Sequence, residues 1–247
     1  MGPTLWLSPA AQKIAEDFHG DAEQAIRHFA RRLLARAKAT GPPFFPDVLA
    51  GYCAIKEIVS RSIRQDGLLV RNGDGYSIQI NRRYPIRSGQ WNAICAHELG
   101  HALLLQSQGA AHRDGGSTRE EEYLCDLAAR ELLLPMHAFK GLVADQQPLE
   151  DGFSIESLVR LAEMFCAPPR MTAVRLVECG LWKGFAMQWK PVDRASERLT
   201  LDWWFPSTGH SAPPHLRRGV QAAELFGESN RIDQAWREGA RTFGLEA

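Results

Sequence analysis

The feature that most constrains this chain is a His-Glu-Leu-Gly-His motif at residues 97–101, which lies inside an apolar stretch. The periodicity around it predicts a helix over about residues 89–105. On a helix, side chains four residues apart lie on one face with Cβ atoms about 5 to 6 Å apart. His97 and His101 can therefore reach the same metal ion. Glu98 then lies beside the metal and is not one of its ligands.

A catalytic zinc needs a third protein ligand and one open coordination position, whereas a structural zinc needs a fourth ligand. A downstream helix offers the third ligand. Thr118 and Glu121 form a capping box that predicts a helix ending at Pro135. On this helix Glu122 can bind the metal. Asp126, four residues later, can accept a hydrogen bond from the outer ring nitrogen of a ligand histidine.

Three neighbours of Glu122 compete for the same role. Glu120 and Glu121 are as close in sequence, but neither has an acidic residue four positions later. Acids in a first helical turn are also stabilising against the helix dipole without any further role. Cys125 could be a soft ligand, although a small buried thiol packed beneath the site is the more common arrangement. Glu122 is therefore the favoured third ligand.

Composition excludes several classes of protein. Lys and Arg number 29, as do Asp and Glu, so a net charge of zero gives no global attraction for nucleic acid or an anionic membrane. No apolar run approaches the roughly 20 residues that span a bilayer. The start, MGPTLWLSP, lacks the pattern of a signal peptide, and the five cysteines include no Cys-x-x-Cys pair. We therefore expect a soluble cytoplasmic protein with reduced thiols and no membrane partner.

Pattern and breaker residues predict a mainly helical chain in three parts. Residues 1–46 form an N-terminal helical arm, with helices capped by Ser8 and Asp21 and a Pro-rich breaker at its end. Residues 47–181 form the main domain. Residues 182–247 form a Trp-rich region to which the sequence assigns no role.

Further predicted elements surround the two helices of the site. They are a helix from Asp47 to about Arg61, a β-hairpin of residues 67–70 and 76–81, helices over 154–165 and 171–179, strands over 184–190 and 197–205, and one or two terminal helices.

The segments HELGHALLL and EYLCDLAARELLLP resemble the ImmA/IrrE family of zinc metallopeptidases. The resemblance covers about residues 47–181 and is strongest from Ala96 to Pro135. It implies an α+β fold, in which a mainly helical, gluzincin-like (zincin-like) metallopeptidase domain carries a small β-sheet. A helix-turn-helix-like segment at 154–181 and a small C-terminal α/β appendage complete this expectation. The departures from the family pattern are Ala93, Leu124, Cys125 and Ala128, and none removes a predicted ligand.

The resemblance further implies an endopeptidase that cleaves a helix-turn-helix repressor and so relieves repression of stress-response or mobile-element genes. The residue chemistry permits this. Zn²⁺, with Mn²⁺ as an alternative, would be held by the two histidines and Glu122 and would lower the pKa of a bound water towards about 7. Glu98 would take the water proton and pass it to the leaving amine.

Two further features have open roles. Tyr84, His112 and Tyr123 are candidate donors to the developing oxyanion. The strand Tyr76–Asn81 could bind an extended substrate by β-augmentation, although an ordinary half-buried strand has the same pattern.

A second hypothesis belongs to another class: a regulatory DNA- or protein-binding module, antitoxin-like or a scaffold, with a zinc site and no proteolysis. The helices within 154–181 have the spacing of a helix-turn-helix. Their charge balance is only weakly basic, which falls short of the electrostatic footprint of a DNA-binding surface. Direct DNA binding is therefore not expected, and a protein substrate is the expected partner.

Overall fold

A computed structural model of the chain describes residues 6–107, 117–145, 155–181, 185–191, 199–206 and 243–246. The chain divides into two compact units. The first contains residues 1–145 and 160–168, and the second contains residues 146–159 and 169–247. The predicted boundaries at residues 46 and 181 stay predictions.

Helices dominate the first unit. Its elements are α1 (Pro9–Ala15), α2 (Ala22–Arg36), α3 (Pro46–Ala50), β1 (Ile55–Arg61), β2 (Gly67–Asn72), β3 (Gly75–Asn81), α4 (Gly89–Ser107), α5 (Arg119–Leu133), α6 (Met136–Asp145) and the later part of α7 (Ile155–Met164). Short 3-10 turns follow α1 and α3.

The predicted helix starts are confirmed by their caps. The Ser8 hydroxyl accepts from the backbone of α1, and the Asp21 carboxylate accepts from the Gln24 amide of α2 at 2.9 Å. At α5 the full capping box of Thr118 and Glu121 is present. Each cap satisfies an amide that has no partner inside its helix, which fixes the residue at which the helix begins.

The three-stranded sheet has the order β1-β3-β2. Strands β2 and β3 form the predicted antiparallel hairpin, and β1 runs parallel to β3. The predicted helix from Asp47 to Arg61 is wrong in its second half, which is strand β1. Helix α3 ends at Ala50, and the 3-10 turn after it is capped by Ala54, whose backbone is left-handed with a φ of 55°. The β-branched residues that follow suit a strand, and β3 supplies its hydrogen bonds.

One core cluster of the first unit joins α1 and α2 to α5 and to the end of α4. Its buried members are Trp6, Ala11, Ile14, Ala15, Ala22, Ala25, Ile26, Leu104, Leu124, Cys125, Leu127 and Ala128. Helix α4 itself is buried over most of its surface, including Ala96, Leu99 and Ala102. Burial of this apolar surface is the main force that holds α4 and α5 together.

The second unit combines helix and sheet. Its described elements are the early part of α7, α8 (Pro169–Glu178), β4 (Phe185–Pro191), β5 (Leu199–Pro206) and β6 (Phe243–Glu246). The strands form an antiparallel sheet of order β5-β4-β6, which confirms the two strands predicted here. The predicted terminal helices lie outside the described residues.

The mainly helical α+β class is confirmed, with a small sheet in the first unit. Within the described part of the chain, no helix has both the length and the apolar character needed to cross a membrane.

Candidate metal centre

Helix α4 presents His97 and His101 side by side. Their ring centroids are 4.9 Å apart and the rings meet edge to face. The histidine side chains keep 22% and 21% of their surface exposed, while the neighbouring Ala96 and Leu99 are buried. Burial of the rest of α4 therefore directs both imidazoles to one face that stays open to solvent.

Helix α5 places the Glu122 carboxylate beside the Nε2 atoms of His97 and His101. Glu122 Oε2 lies 3.2 Å from His97 Nε2, and Glu122 Oε1 lies 3.6 Å from His101 Nε2. Two imidazole nitrogens and one carboxylate form a donor set that zinc accepts in proteins. The Glu122 side chain is 47% exposed, so the site is open on the side away from the helices.

The Nδ1 atoms of the two histidines have different hydrogen-bond partners. His97 Nδ1 lies 2.9 Å from Asp126 Oδ1, and His101 Nδ1 lies 3.2 Å from Cys125 Sγ. Burial lowers the pKa of His97, but the hydrogen bond and charge of Asp126 outweigh it and raise this pKa overall. For His101, burial and the charge of His97 lower the pKa. A proton held on Nδ1 leaves Nε2 of each ring free to face Glu122.

Cys125 offers a second donor set. Ligand atoms of His97, His101 and Cys125 all lie within 4.8 Å of one another. The thiol is fully buried, and burial raises the pKa of Cys125 well above its ordinary value. A thiol that keeps its proton is a poor metal ligand. The Cys125 thiol contacts Nδ1 of His101, whereas the Glu122 carboxylate lies beside Nε2 of the same ring.

Glu98 is buried beneath strand β2. Its exposure is 7%, and its carboxylate accepts a hydrogen bond from the backbone amide of Leu69. Burial raises the pKa of Glu98 to about 7, and the nearby His97 charge opposes this rise. A carboxyl group with a pKa near 7 is suited to take up and release a proton at neutral pH.

A comparison with protein families adds to this geometry. Residues 57–177, from β1 to α8, match the family model of the IrrE N-terminal-like domain, which is a peptidase family. Residues 57–177 therefore form an IrrE N-terminal-like domain within the chain. The resemblance indicated by the sequence motifs is thereby confirmed, and the family implies a metallopeptidase with a bound metal. Helices α1 and α2 precede the matched part of the IrrE-like domain.

A solved structure of a Mycobacterium tuberculosis transcriptional regulator is similar to the chain, with a TM-score of 0.44 and 17% sequence identity. The similarity covers 77% of this chain, and the chain spans 58% of the regulator. A similarity of this size carries no argument about function. A search of curated proteins gives no match.

Two glycines of the IrrE-like domain permit close approaches that sequence reasoning missed. A Cβ at Gly100 would lie 2.8 Å from the Cα of Cys125, so this position lets α5 reach α4. A Cβ at Gly67 would lie 2.4 Å from Ile94 and 2.6 Å from the Glu98 carboxylate. The sequence did contain a signal for these close approaches, because Gly100 lies inside the His-Glu-Leu-Gly-His motif and Gly67 begins a predicted strand.

Several residues that the sequence suggested as metal ligands or oxyanion donors have hydrogen-bond partners other than the proposed metal ligands. Glu120 and Glu121 bind the segment before α1, and the Tyr123 hydroxyl donates to Glu23. The Tyr84 hydroxyl accepts from Arg83. His112 lies outside the described residues.

The idea that Tyr76–Asn81 receives a substrate strand is wrong. This segment is β3, the central strand of its sheet, and both of its edges are already paired with β1 and β2. A further strand can add only to an unpaired edge.

Proposed function

We propose that this chain is a zinc-dependent endopeptidase that cleaves a helix-turn-helix repressor-type regulator in the cytoplasm, relieving repression of stress-response or mobile-element genes. The observation that carries the proposal is the meeting of His97, His101 and Glu122 at a solvent-open face beside the buried carboxyl group of Glu98. Family membership supports the metallopeptidase class. The regulator as substrate rests on the family resemblance of the sequence.

The proposed ligands are Nε2 of His97, Nε2 of His101 and the Glu122 carboxylate. This set uses the atoms that already face one another, whereas the set with Cys125 needs a buried thiol to lose its proton. Asp126 acts on the outer nitrogen of His97, where it fixes the orientation of the ring and increases its basicity. When bound, Zn²⁺ supplies Lewis-acid activation of a water and of a peptide carbonyl, and Mn²⁺ is the alternative metal.

Glu98 is the proposed general base and acid. Its carboxylate takes a proton from the attacking water and returns it to the nitrogen of the leaving amine. The fold holds it in place through the Leu69 amide of β2, and burial keeps its pKa near the working pH. Since Glu98 is not a ligand in this proposal, its replacement has to affect the reaction without removing the metal.

Strand β2 is the proposed guide for the substrate chain. It lies at an edge of the sheet, and its Leu69 amide contacts Glu98. An extended peptide laid along this edge would pass beside the proposed base.

The decisive experiment incubates the purified zinc-loaded chain with the helix-turn-helix repressor-type regulators of its own genome, beginning with any that is encoded next to it. We expect defined regulator fragments, loss of cleavage with a chelator and recovery with added zinc. E98Q should lower the cleavage rate by roughly 100-fold or more while retaining zinc. E163Q, at an exposed position on α7, is the matched control and should cleave normally.

An intact regulator at full zinc occupancy would reject the peptidase proposal. A stable complex between the two proteins under those conditions would instead favour a binding module without proteolysis. Unchanged cleavage by E98Q would remove Glu98 from its proposed role.

A further inference from the structure

Leu7 and Ser8, which precede α1, form hydrogen bonds with the two residues of α5 that come directly before Glu122. The backbone amides of Leu7 and Ser8 donate to the Glu120 carboxylate at 2.9 and 2.6 Å. The Ser8 hydroxyl donates to the Glu121 carboxylate. Glu121 also accepts from the Thr118 amide at 3.1 Å, which closes the capping box. The first turn of α5 is thus tied to a segment more than 100 residues away in sequence.

Helix α2 holds α5 on the other side of Glu122. The Tyr123 hydroxyl donates to Glu23 Oε1 at 2.7 Å. Arg27 pairs with Glu23 at 2.8 Å and with the buried Glu131 of α5 at 3.7 Å. These contacts extend the attachment along the length of α5.

Apolar packing completes the attachment. Leu124, Cys125 and Leu127 of α5 share a buried core with Trp6 and Ile26. Residues on both sides of Glu122 are therefore held by residues 6–36, which lie outside the part of the chain matched by the family. Glu122 itself turns to the histidines.

We propose that Ser8, Glu23, Glu120 and Tyr123 form an N-terminal clamp that positions Glu122 and Asp126 for metal binding. The inference rests on the ligand set proposed above. Members of the clamp are positioning residues, because they act through α5 and touch neither metal nor substrate.

The physical reason is the weakness of helix ends. Glu122 lies in the first turn of α5, and terminal turns fray at little cost in free energy. A metal site needs its ligands held within roughly 0.5 Å of their binding positions. Contacts that stop the first turn from fraying lower the entropy that metal binding would otherwise have to remove.

The clamp also selects among three consecutive acids. Glu120 and Glu121 are used by the amides and hydroxyl of Leu7 and Ser8, so they are unavailable to the metal. Only Glu122 of the three faces the Nε2 atoms. The N-terminal segment therefore determines which carboxylate approaches the histidines.

The test measures zinc affinity of the full chain by competition with a chromophoric chelator. The double variant S8A/E120A should weaken zinc binding about tenfold or more, because the first turn of α5 would fray and metal binding would have to order Glu122. S8T keeps the hydroxyl and should stay within about twofold of the unchanged chain, since it preserves the contact. E16Q, at an exposed position next to α1, is the matched control and should behave like S8T.

A second measurement follows hydrogen exchange of amides 119–126 in the metal-free chain. S8A/E120A should accelerate exchange of these amides even without metal. A variant that only removed a metal ligand would not have this effect. E120Q, which retains one acceptor oxygen, gives a milder variant if the double variant does not fold, and it should shift both readouts in the same direction.

The outcomes separate the clamp from the proposed function. If E122Q loses zinc affinity but the clamp variants bind zinc and exchange normally, the clamp is overturned. If E122Q binds zinc as tightly as the unchanged chain, the ligand set of the proposed function is wrong and the clamp has no ligand to position.

Discussion

Helix α4 and the first turns of α5 carry the two halves of the candidate site, and different contacts hold these two parts in place. Helix α4, with the histidines and Glu98, is surrounded by apolar residues and by close approaches at Gly67 and Gly100. The beginning of α5, with Glu122 and Asp126, is held by hydrogen bonds and ion pairs from a distant segment. Burial penalises any change of shape or charge in α4, whereas the largely exposed hydrogen bonds of Glu120 and Tyr123 on α5 can be replaced by hydrogen bonds to water at a small cost.

This difference predicts an order of effects on the free energy of unfolding. Changes inside α4 should exceed changes at the polar contacts of α5. Urea denaturation of the metal-free chain tests this order.

The largest effect is expected for Glu98→Gln at high pH. Burial raises the pKa of Glu98 to about 7 from an ordinary 4.5. Below pH 4.5 the group is protonated in both states, and between pH 4.5 and 7 only the folded chain keeps the proton, so folding stability falls as pH rises. Glu98→Gln lacks this loss and should be more stable by about 3 kcal/mol above pH 7.

The control for this pH dependence is E163Q at an exposed site. The stability difference between Glu98→Gln and the unchanged chain should shrink towards zero near pH 4.5. A difference that is constant with pH would show that the charge of Glu98 is not penalised by its surroundings.

The next effect is expected for Gly100→Ala. The added methyl group would press on the backbone of α5 at Cys125 and should destabilise the chain by about 2 kcal/mol. It should also weaken zinc binding, because the two helices have to move apart. Gly141→Ala in α6 has open space and should stabilise by about 0.5 to 1 kcal/mol.

The smallest effect is expected for Tyr123→Phe on α5. The ring is retained and only the hydrogen bond to Glu23 is lost, which should cost about 1 kcal/mol at this partly exposed site. Tyr52→Phe, at an equally exposed tyrosine, is the matched control and should be near neutral. A loss for Tyr123→Phe that exceeds the loss for Gly100→Ala would reverse the proposed difference between α4 and α5.

Sequence reasoning succeeded where a signal is local. The spacing of the two histidines, the capping box at Thr118 and the hairpin turn each involve residues a few positions apart. The choice of Glu122 over its neighbours used the i+4 relation to Asp126, and Asp126 does lie against His97. The roles of these residues as ligand and partner stay predictions that the zinc measurements test.

Sequence reasoning failed where the structure of a segment depends on pairing with residues far away in the sequence. Asp47–Arg61 has a helical start, and only pairing with β3 makes its second half a strand. The pattern of Tyr76–Asn81 is that of any half-buried strand, and whether it is central or at an edge depends on β1, which was not predicted to be a strand at all.

Local sequence patterns were enough to predict that two histidines share one helix face, that an acidic helix follows, and that the domain is mainly helical. Those properties follow from periodicity and capping, which act over a few residues. Long-range packing was needed to bury Glu98 under β2, to bring α5 close to Gly100, and to place Leu7 and Ser8 against the Glu120 and Glu121 carboxylates. Some of these contacts join residues more than 100 positions apart, and they arise only when the core packs.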